Sequence, residues 1–136
     1  MNSSVNFAEI PASTYQSLRK ACGLSSKSGL AAKTGLANSL ASVLVKNEED
    51  EPIGMGRVIG DGGCFCQIVD ICVLPELQGK GIGKLIMEKL MEFISTLPDT
   101  CYVSLIADGN ANRLYEKYGF QDTLPESRGM YFKVMK

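Results

Sequence analysis

The sequence predicts an α/β domain: a mixed, mostly antiparallel sheet of six or seven strands with about four helices on its two faces, in the order βααβββαβαββ. Three observations carry this. Residues 69–94, VDICVLPELQGKGIGKLIMEKLMEFI, read as strand, proline break, glycine-rich loop and amphipathic helix. Residues 39–74 hold three apolar, β-branched runs separated by polar turns, the pattern of an antiparallel meander. Residues 101–136 give one more strand and helix, then two short apolar runs around the turn at 125–129.

Taken in order, residues 4–10 read as an edge strand with Val5, Phe7 and Ile10 as its apolar members. Ser13 suits an N-cap for a helix over Thr14–Cys22 that turns Tyr15 and Leu18 inward, and Gly23 ends it. The Ser-, Gly- and Ala-rich stretch 24–38 predicts a short helix around Leu30–Leu36. Ser39–Lys46 and Pro52–Gly60 are strands joined by the acidic turn Asn47–Glu51, read as a solvated hairpin tip. Asp61-Gly62-Gly63 leads into a strand over Cys64–Leu74, closed by Pro75, which has no amide to donate. In the next helix Ile82, Leu85, Ile86, Leu90, Phe93, Ile94 and Leu97 recur at helical spacing, as far as about Thr96. Cys101–Ala107 is a strand. A short helix from about Gly109 to Tyr118 follows, with Asp108 as N-cap and Gly119 just past its end. Phe120–Leu124 and Met130–Met135 pair as a terminal hairpin.

Composition narrows the class. A chain of 136 residues is expected to form a single domain over residues 1–136, with one core. A net charge of −1 gives no electrostatic case for nucleic acid as partner. No apolar run reaches the roughly 18 residues of a membrane span. The opening MNSSVNFAEIPAS lacks the basic start and apolar core of a signal peptide. The five cysteines, Cys22, Cys64, Cys66, Cys72 and Cys101, sit mostly in apolar strand patterns and read as reduced thiols of a cytoplasmic protein. With no histidine in the chain, a zinc site is not expected, and Ser-His-Asp and Cys-His mechanisms are excluded.

The glycine-rich loop carries the chemistry. Gln78-Gly79-Lys80-Gly81-Ile82-Gly83-Lys84 removes three Cβ atoms and lets backbone amides approach an anion. The loop opens a helix, whose unpaired first-turn amides and positive dipole end favour a phosphate. Lys80 and Lys84 add cationic side chains, and a bound diphosphate is the expectation. The Walker pattern fails because Leu85 follows Lys84, and the dinucleotide fingerprint fails because Lys84 stands three residues after Gly81.

What fits is Q-x-x-G-x-G/A after a strand. Together with Val73-Leu74-Pro75 and the downstream Leu114-Tyr115-Glu116-Lys117-Tyr118-Gly119-Phe120, this closely resembles the GNAT superfamily of N-acetyltransferases. The resemblance covers essentially residues 5–136. It implies acetyl-CoA as cosubstrate, its diphosphate on Gln78, Gly79, Lys80, Gly81, Ile82, Gly83 and Lys84. It implies a strand ending at Pro75 that splays from its neighbour and offers the backbone of Ile71, Cys72 and Val73 to the pantetheine arm. An amide of Cys72 or Ile71 would polarise the thioester. Tyr115 would protonate the departing thiolate. Family members often carry Asn seven residues before this tyrosine, where this chain has Asp108, and Asn112 is a substitute for that contact.

Asp70 is the one charged residue of its strand. It is a candidate base or amine anchor, with a structural pair to Arg57 and a water-mediated proton path as the other readings. An acyl-enzyme at Cys72 lacks a histidine to activate the thiol. The acceptor expected from the resemblance is a primary amine of a small molecule or an amino terminus, bounded by residues 22–38, the 61–64 turn and the 124–130 hairpin. There Asp61 and Glu126 are turn carboxylates that could anchor an amine. Homodimers are common in such a family. The alternative is a non-catalytic CoA-binding module or partner subunit of the same fold.

Overall fold

A computed structural model describes residues 3–136. The chain divides into two compact units, Met1–Leu105 and Ile106–Lys136.

The first unit is built on a five-stranded sheet in which neighbours in sequence are neighbours in space. Strands β1 (Ser4–Phe7), β2 (Ala41–Lys46), β3 (Pro52–Gly60) and β4 (Phe65–Val73) pair antiparallel in turn, and β5 (Tyr102–Leu105) joins β4 in parallel. The predicted meander is β2–β3–β4. Its first turn is folded by Asn47, whose Oδ1 accepts from the Glu49 and Glu51 amides at 3.0 and 2.9 Å. Its second is folded by Asp61, whose Oδ1 accepts from the amides of Gly63, Cys64 and Phe65 at 2.8, 2.9 and 3.0 Å. Those donors hold the Asp61 carboxyl below the usual range, Phe65 most. Its engaged oxygen makes Asp61 a turn-former.

Helices α1 (Ala12–Ala21) and α2 (Gly29–Ala37) cover one face. Ile10, Tyr15, Leu18, Ala32 and Leu36 pack there on Leu44, Met55 and Cys72. Helix α3 (Ile82–Ile94) covers the other and buries Ile82, Ile86, Met87 and Leu90. It comes close because β3 has glycines where α3 crosses. A Cβ on Gly54 would lie 3.2 Å from Ile86 Cδ1, and one on Gly56 would lie 2.8 Å from Ile86 Cγ2 and 3.1 Å from Leu90 Cδ1. Gly56→Ala should therefore overpack this face by about 1–3 kcal/mol. A lower urea midpoint at unchanged slope is the expected reading, and an unchanged midpoint would refute the tight crossing.

Several element ends differ from expectation. Helix α1 begins two residues earlier, because the Pro11 carbonyl accepts the Tyr15 amide at 2.9 Å and Ser13 lies inside the helix. Its end follows the sequence. Gly23 takes φ +76, Leu24 N–H reaches the Arg19 carbonyl at 2.8 Å and Gly23 N–H the Lys20 carbonyl at 3.1 Å, a Schellman stop. Helix α2 is capped by Ser28, whose Oγ accepts the Ala31 amide at 3.1 Å.

The second unit holds α4 (Asn112–Glu116) and no strand among its described residues. The predicted helix from Gly109 is shortened because Gly109 itself takes φ +55, and Asp108 closes a turn to the Ala111 amide at 3.0 Å rather than capping. The predicted terminal hairpin is a turn without strands. Ser127 N–H meets the Thr123 carbonyl at 2.8 Å, but Met130, Tyr131, Phe132, Val134 and Met135 are exposed. A lone two-stranded hairpin buries too little to stand by itself, and the described residues form five strands where six or seven were expected. Among the described residues no helix is long and apolar enough to cross a membrane.

Candidate active site

The β3–β4 register locates an irregularity in the strand predicted to be functional. Met55 stands opposite Cys72 and Arg57 opposite Val69, so Asp70 and Ile71 share one partner, Gly56. This is a β-bulge, and Asp70 adopts the left-handed region at φ +61. For a non-glycine residue that conformation costs on the order of 1 kcal/mol, which Asp tolerates better than most. The bulge also shifts the alternation by one, so Val69 faces with Arg57 rather than with Ile71.

Three side chains hold Asp70. Arg19 Nη1 donates to Oδ1 at 2.5 Å, Arg57 Nε to Oδ2 at 2.8 Å, and Tyr15 OH to Oδ2 at 3.0 Å. The carboxylate and both guanidinium side chains are below one-tenth exposed. The remaining donors are placed too: Arg19 Nε reaches the Ser25 carbonyl at 2.7 Å, and Arg57 Nη1 reaches Ser39 Oγ at 2.8 Å and the Gly35 carbonyl at 3.1 Å. Burial and the adjacent carboxylate push the Tyr15 phenol up. Of the readings of Asp70, the pair with Arg57 is present, with Arg19 as a second partner. Arg19 was legible in principle: it lies four residues after the inward Tyr15, on the same helix face.

Beyond the bulge the outer edge of β4 opens. Strand β5 pairs with β4 only from Phe65–Tyr102 to Ile68–Leu105, leaving Val69–Val73 without a β5 partner. Leu74 N–H donates to the Ile53 carbonyl at 3.0 Å. Hydrogen-bonded and non-bonded pairs alternate along an antiparallel ladder, so Cys72 turns its polar groups to Met55 while Val73, and the Ile71 carbonyl that lies trans to the Cys72 amide, turn to the open edge. The Val73 carbonyl is engaged there by Gln78 Nε2 at 3.2 Å and Cys22 Sγ at 3.3 Å. This narrows the expected set. Cys72 is turned inward, Gln78 braces the strand end, and Ile71 presents its backbone outward.

The loop follows directly. A short 3-10 turn, Pro75–Leu77, leads to Gly79 at φ +80 and Gly81 at φ +86, and a Cβ at either would meet nothing within 4 Å. Gly81 occupies the N-cap of α3 with no side-chain cap, and Leu85 N–H makes the first helical bond to its carbonyl. The first-turn amides of Ile82, Gly83 and Lys84 precede that bond. Lys80, Gly81 and Lys84 are exposed. The residues present thus suit a diphosphate: open space, left-handed glycines and an uncapped helix start.

The second unit places Tyr115 and Asn112 on α4. The Gly119-Phe120 pair ends this helix in a Schellman stop. Gly119 has φ +92, Phe120 N–H reaches the Tyr115 carbonyl at 3.4 Å and Gly119 N–H the Glu116 carbonyl at 3.1 Å. That sets the Phe120 ring edge-on to Tyr115, with centroids 6.5 Å apart. Burial, and secondly the Asp108 carboxylate, push the Tyr115 phenol up. Asn112 Nδ2 is engaged by Glu116 Oε1 at 3.0 Å.

Neither thiol of the site is an activated nucleophile. Burial pushes the Cys72 thiol far up and raises Cys22 as well, the opposite of an activated nucleophile. Among the described residues no group of three or more His, Cys, Asp or Glu could hold a metal ion.

Comparison with known proteins gives the family. The family model described as an acetyltransferase (GNAT) domain matches residues 11–135. A solved structure from meticillin-resistant Staphylococcus aureus, described as a probable acetyltransferase of unknown function, is 46% identical. It superposes with a TM-score of 0.91, covering 98% of this chain and 100% of that one. An Arabidopsis thaliana chloroplastic GCN5-related N-acetyltransferase 2 is 34% identical over 64% of this chain and 33% of its own length. A Glycine max histone acetyltransferase, TAP1, is 33% identical over 63% of this chain and 37% of its own. The chain spans about a third of the length of these two plant relatives. The chain belongs to the GNAT family of acetyltransferases.

Proposed function

We propose that this protein is an N-acetyltransferase that moves the acetyl group of acetyl-CoA directly to a primary amine of a small molecule or an amino terminus. One observation carries the reading. A single strand–loop–helix segment offers an open backbone edge at Ile71, and then an uncapped helix start entered through left-handed glycines. The loop amides and Lys80 and Lys84 bind the diphosphate, and the open β4 edge aligns the extended arm as an added strand would.

In the reaction a C–N bond forms at the thioester carbonyl carbon and the C–S bond breaks. The Ile71 N–H holds the negative charge that develops on the carbonyl oxygen. Tyr115 gives its proton to the departing sulfur and recovers one from water. The amine proton leaves through water, with the Asp70 carboxylate engaged by three side-chain donors. The plant relatives, an N-acetyltransferase and a histone acetyltransferase, support an amine acceptor in general.

Thermal unfolding with acetyl-CoA, ATP or NAD tests the cosubstrate. At 100 times its dissociation constant a ligand of the native state adds about 2.7 kcal/mol. Stabilisation by acetyl-CoA alone, with free thiol released when an amine panel is added, is the expected result. Stabilisation without thiol release across the panel would favour the non-catalytic CoA-binding module. No stabilisation would remove both readings.

A further inference from the structure

We propose that Asp70 is a positioning residue: its carboxylate, clamped by Arg19, Arg57 and Tyr15, holds the left-handed bulge that aims the Ile71 amide out of the sheet. The inference rests on the acyl-transfer reading above, which gives that amide its task. The Ile71 N–H belongs to the peptide joining Asp70 to Ile71, so whatever fixes those two residues fixes its direction. Asp70 is fixed from the α1–α2 face by donors from α1 and β3. Ile71 is fixed from the opposite face, where its Cγ1 lies 3.3 Å from the point a Cβ on Gly56 would occupy, beside Ile86 and Leu90 of α3.

The bulge has no glycine to make it easy. A left-handed Asp in mid-strand persists only if its surroundings hold it there. Two guanidiniums and a phenol on one carboxylate are such surroundings, and those three donors compete with an amine for its oxygens.

Three variants test this: Asp70→Asn, which tolerates the left-handed region and keeps an acceptor oxygen, Asp70→Ala, which does neither, and Tyr15→Phe, which removes one donor and leaves both ion pairs. The readouts are acetyl-CoA affinity by calorimetry, kcat and kcat/KM against pH with an accepted amine, and the 15N-labelled Ile71 amide resonance. A positioning role predicts a kcat loss of about 30-fold or more in Asp70→Ala, less than about tenfold in Asp70→Asn, and about threefold in Tyr15→Phe. Acetyl-CoA affinity stays within about threefold in all, because the loop is untouched. The shape of the pH profile is retained, and the Ile71 resonance moves in the order of the kcat losses.

Equal kcat losses in Asp70→Asn and Asp70→Ala, with the acid limb of the profile gone from both, would make Asp70 the proton acceptor and overturn the proposal. So would an unmoved kcat in a folded Asp70→Ala, or affinity and turnover falling in parallel. If Asp70→Ala does not fold, Tyr15→Phe and Asp70→Asn carry the same comparison. A wild-type protein that acetylates no amine would sink the acyl-transfer reading alone. The Ile71 resonance reads the clamp without turnover, and its failure to move in Asp70→Ala would sink the clamp.

Discussion

Replacing Gly81 with glutamate is expected to abolish acetyl-CoA binding in a protein that still folds. Gly81 sits at φ +86 with nothing within 4 Å of a notional Cβ, so the new side chain has open space where it leaves the backbone. The left-handed conformation costs a non-glycine residue about 1–2 kcal/mol, a fraction of the 5–15 kcal/mol that typically holds a domain together. The carboxylate then projects from the N-cap of α3 into the space assigned to a diphosphate. Two like charges about 4 Å apart repel by about 4 kcal/mol at a near-surface dielectric, enough to weaken binding by roughly 100-fold or more. Calorimetry with acetyl-CoA, beside a circular dichroism melt, separates binding from folding. Retained affinity in the folded variant would refute the phosphate loop.

Tyr115→Phe should lower kcat by about 100-fold or more while leaving acetyl-CoA affinity nearly unchanged, the range expected for loss of a positioned general acid. The ring contact with Phe120 survives, since only the hydroxyl is removed. The pH dependence follows from the sign of the shift. A general acid works in its protonated form, and burial with the Asp108 carboxylate raises the Tyr115 phenol above its ordinary value of 10.0. Its contribution is therefore complete at neutral pH and is lost only as pH climbs through that raised value. A rate decline in wild type below pH of about 10 has another origin. Equal losses of kcat and affinity in Tyr115→Phe, or none, would make Tyr115 a packing residue.

What could be read from the sequence was whatever a local pattern encodes. The glycines at 79 and 81 stand at positive φ, Gly23 and Gly119 end their helices, and Pro52–Gly60 is a strand with the predicted bounds. The Asp70–Arg57 pair was legible because a charged residue in an apolar strand needs a partner. The bulge was not. Its mark is a one-residue offset between two strands, which neither strand shows alone, and it underlies the proposed choice of Ile71 over Cys72. Arg19 was missed because an arginine on a short helix reads as solvated until the helix is docked. The terminal hairpin was overread because Met130–Met135 has strand composition, whereas a strand also needs a partner to bond with.

The early stop of β5 opposite Ile68 has a consequence for how this protein can be dissected. The groups it leaves facing outward from Val69–Val73 belong to the main chain, and every amino acid except proline carries the same amide and carbonyl. A scan that trims side chains to alanine would leave those amides and carbonyls in place and, Asp70 apart, report these positions as tolerant. Homologues could likewise drift there without loss of the edge. An edit to the backbone itself, such as an amide-to-ester exchange at Ile71 or a proline in its place, would make the edge directly visible to experiment.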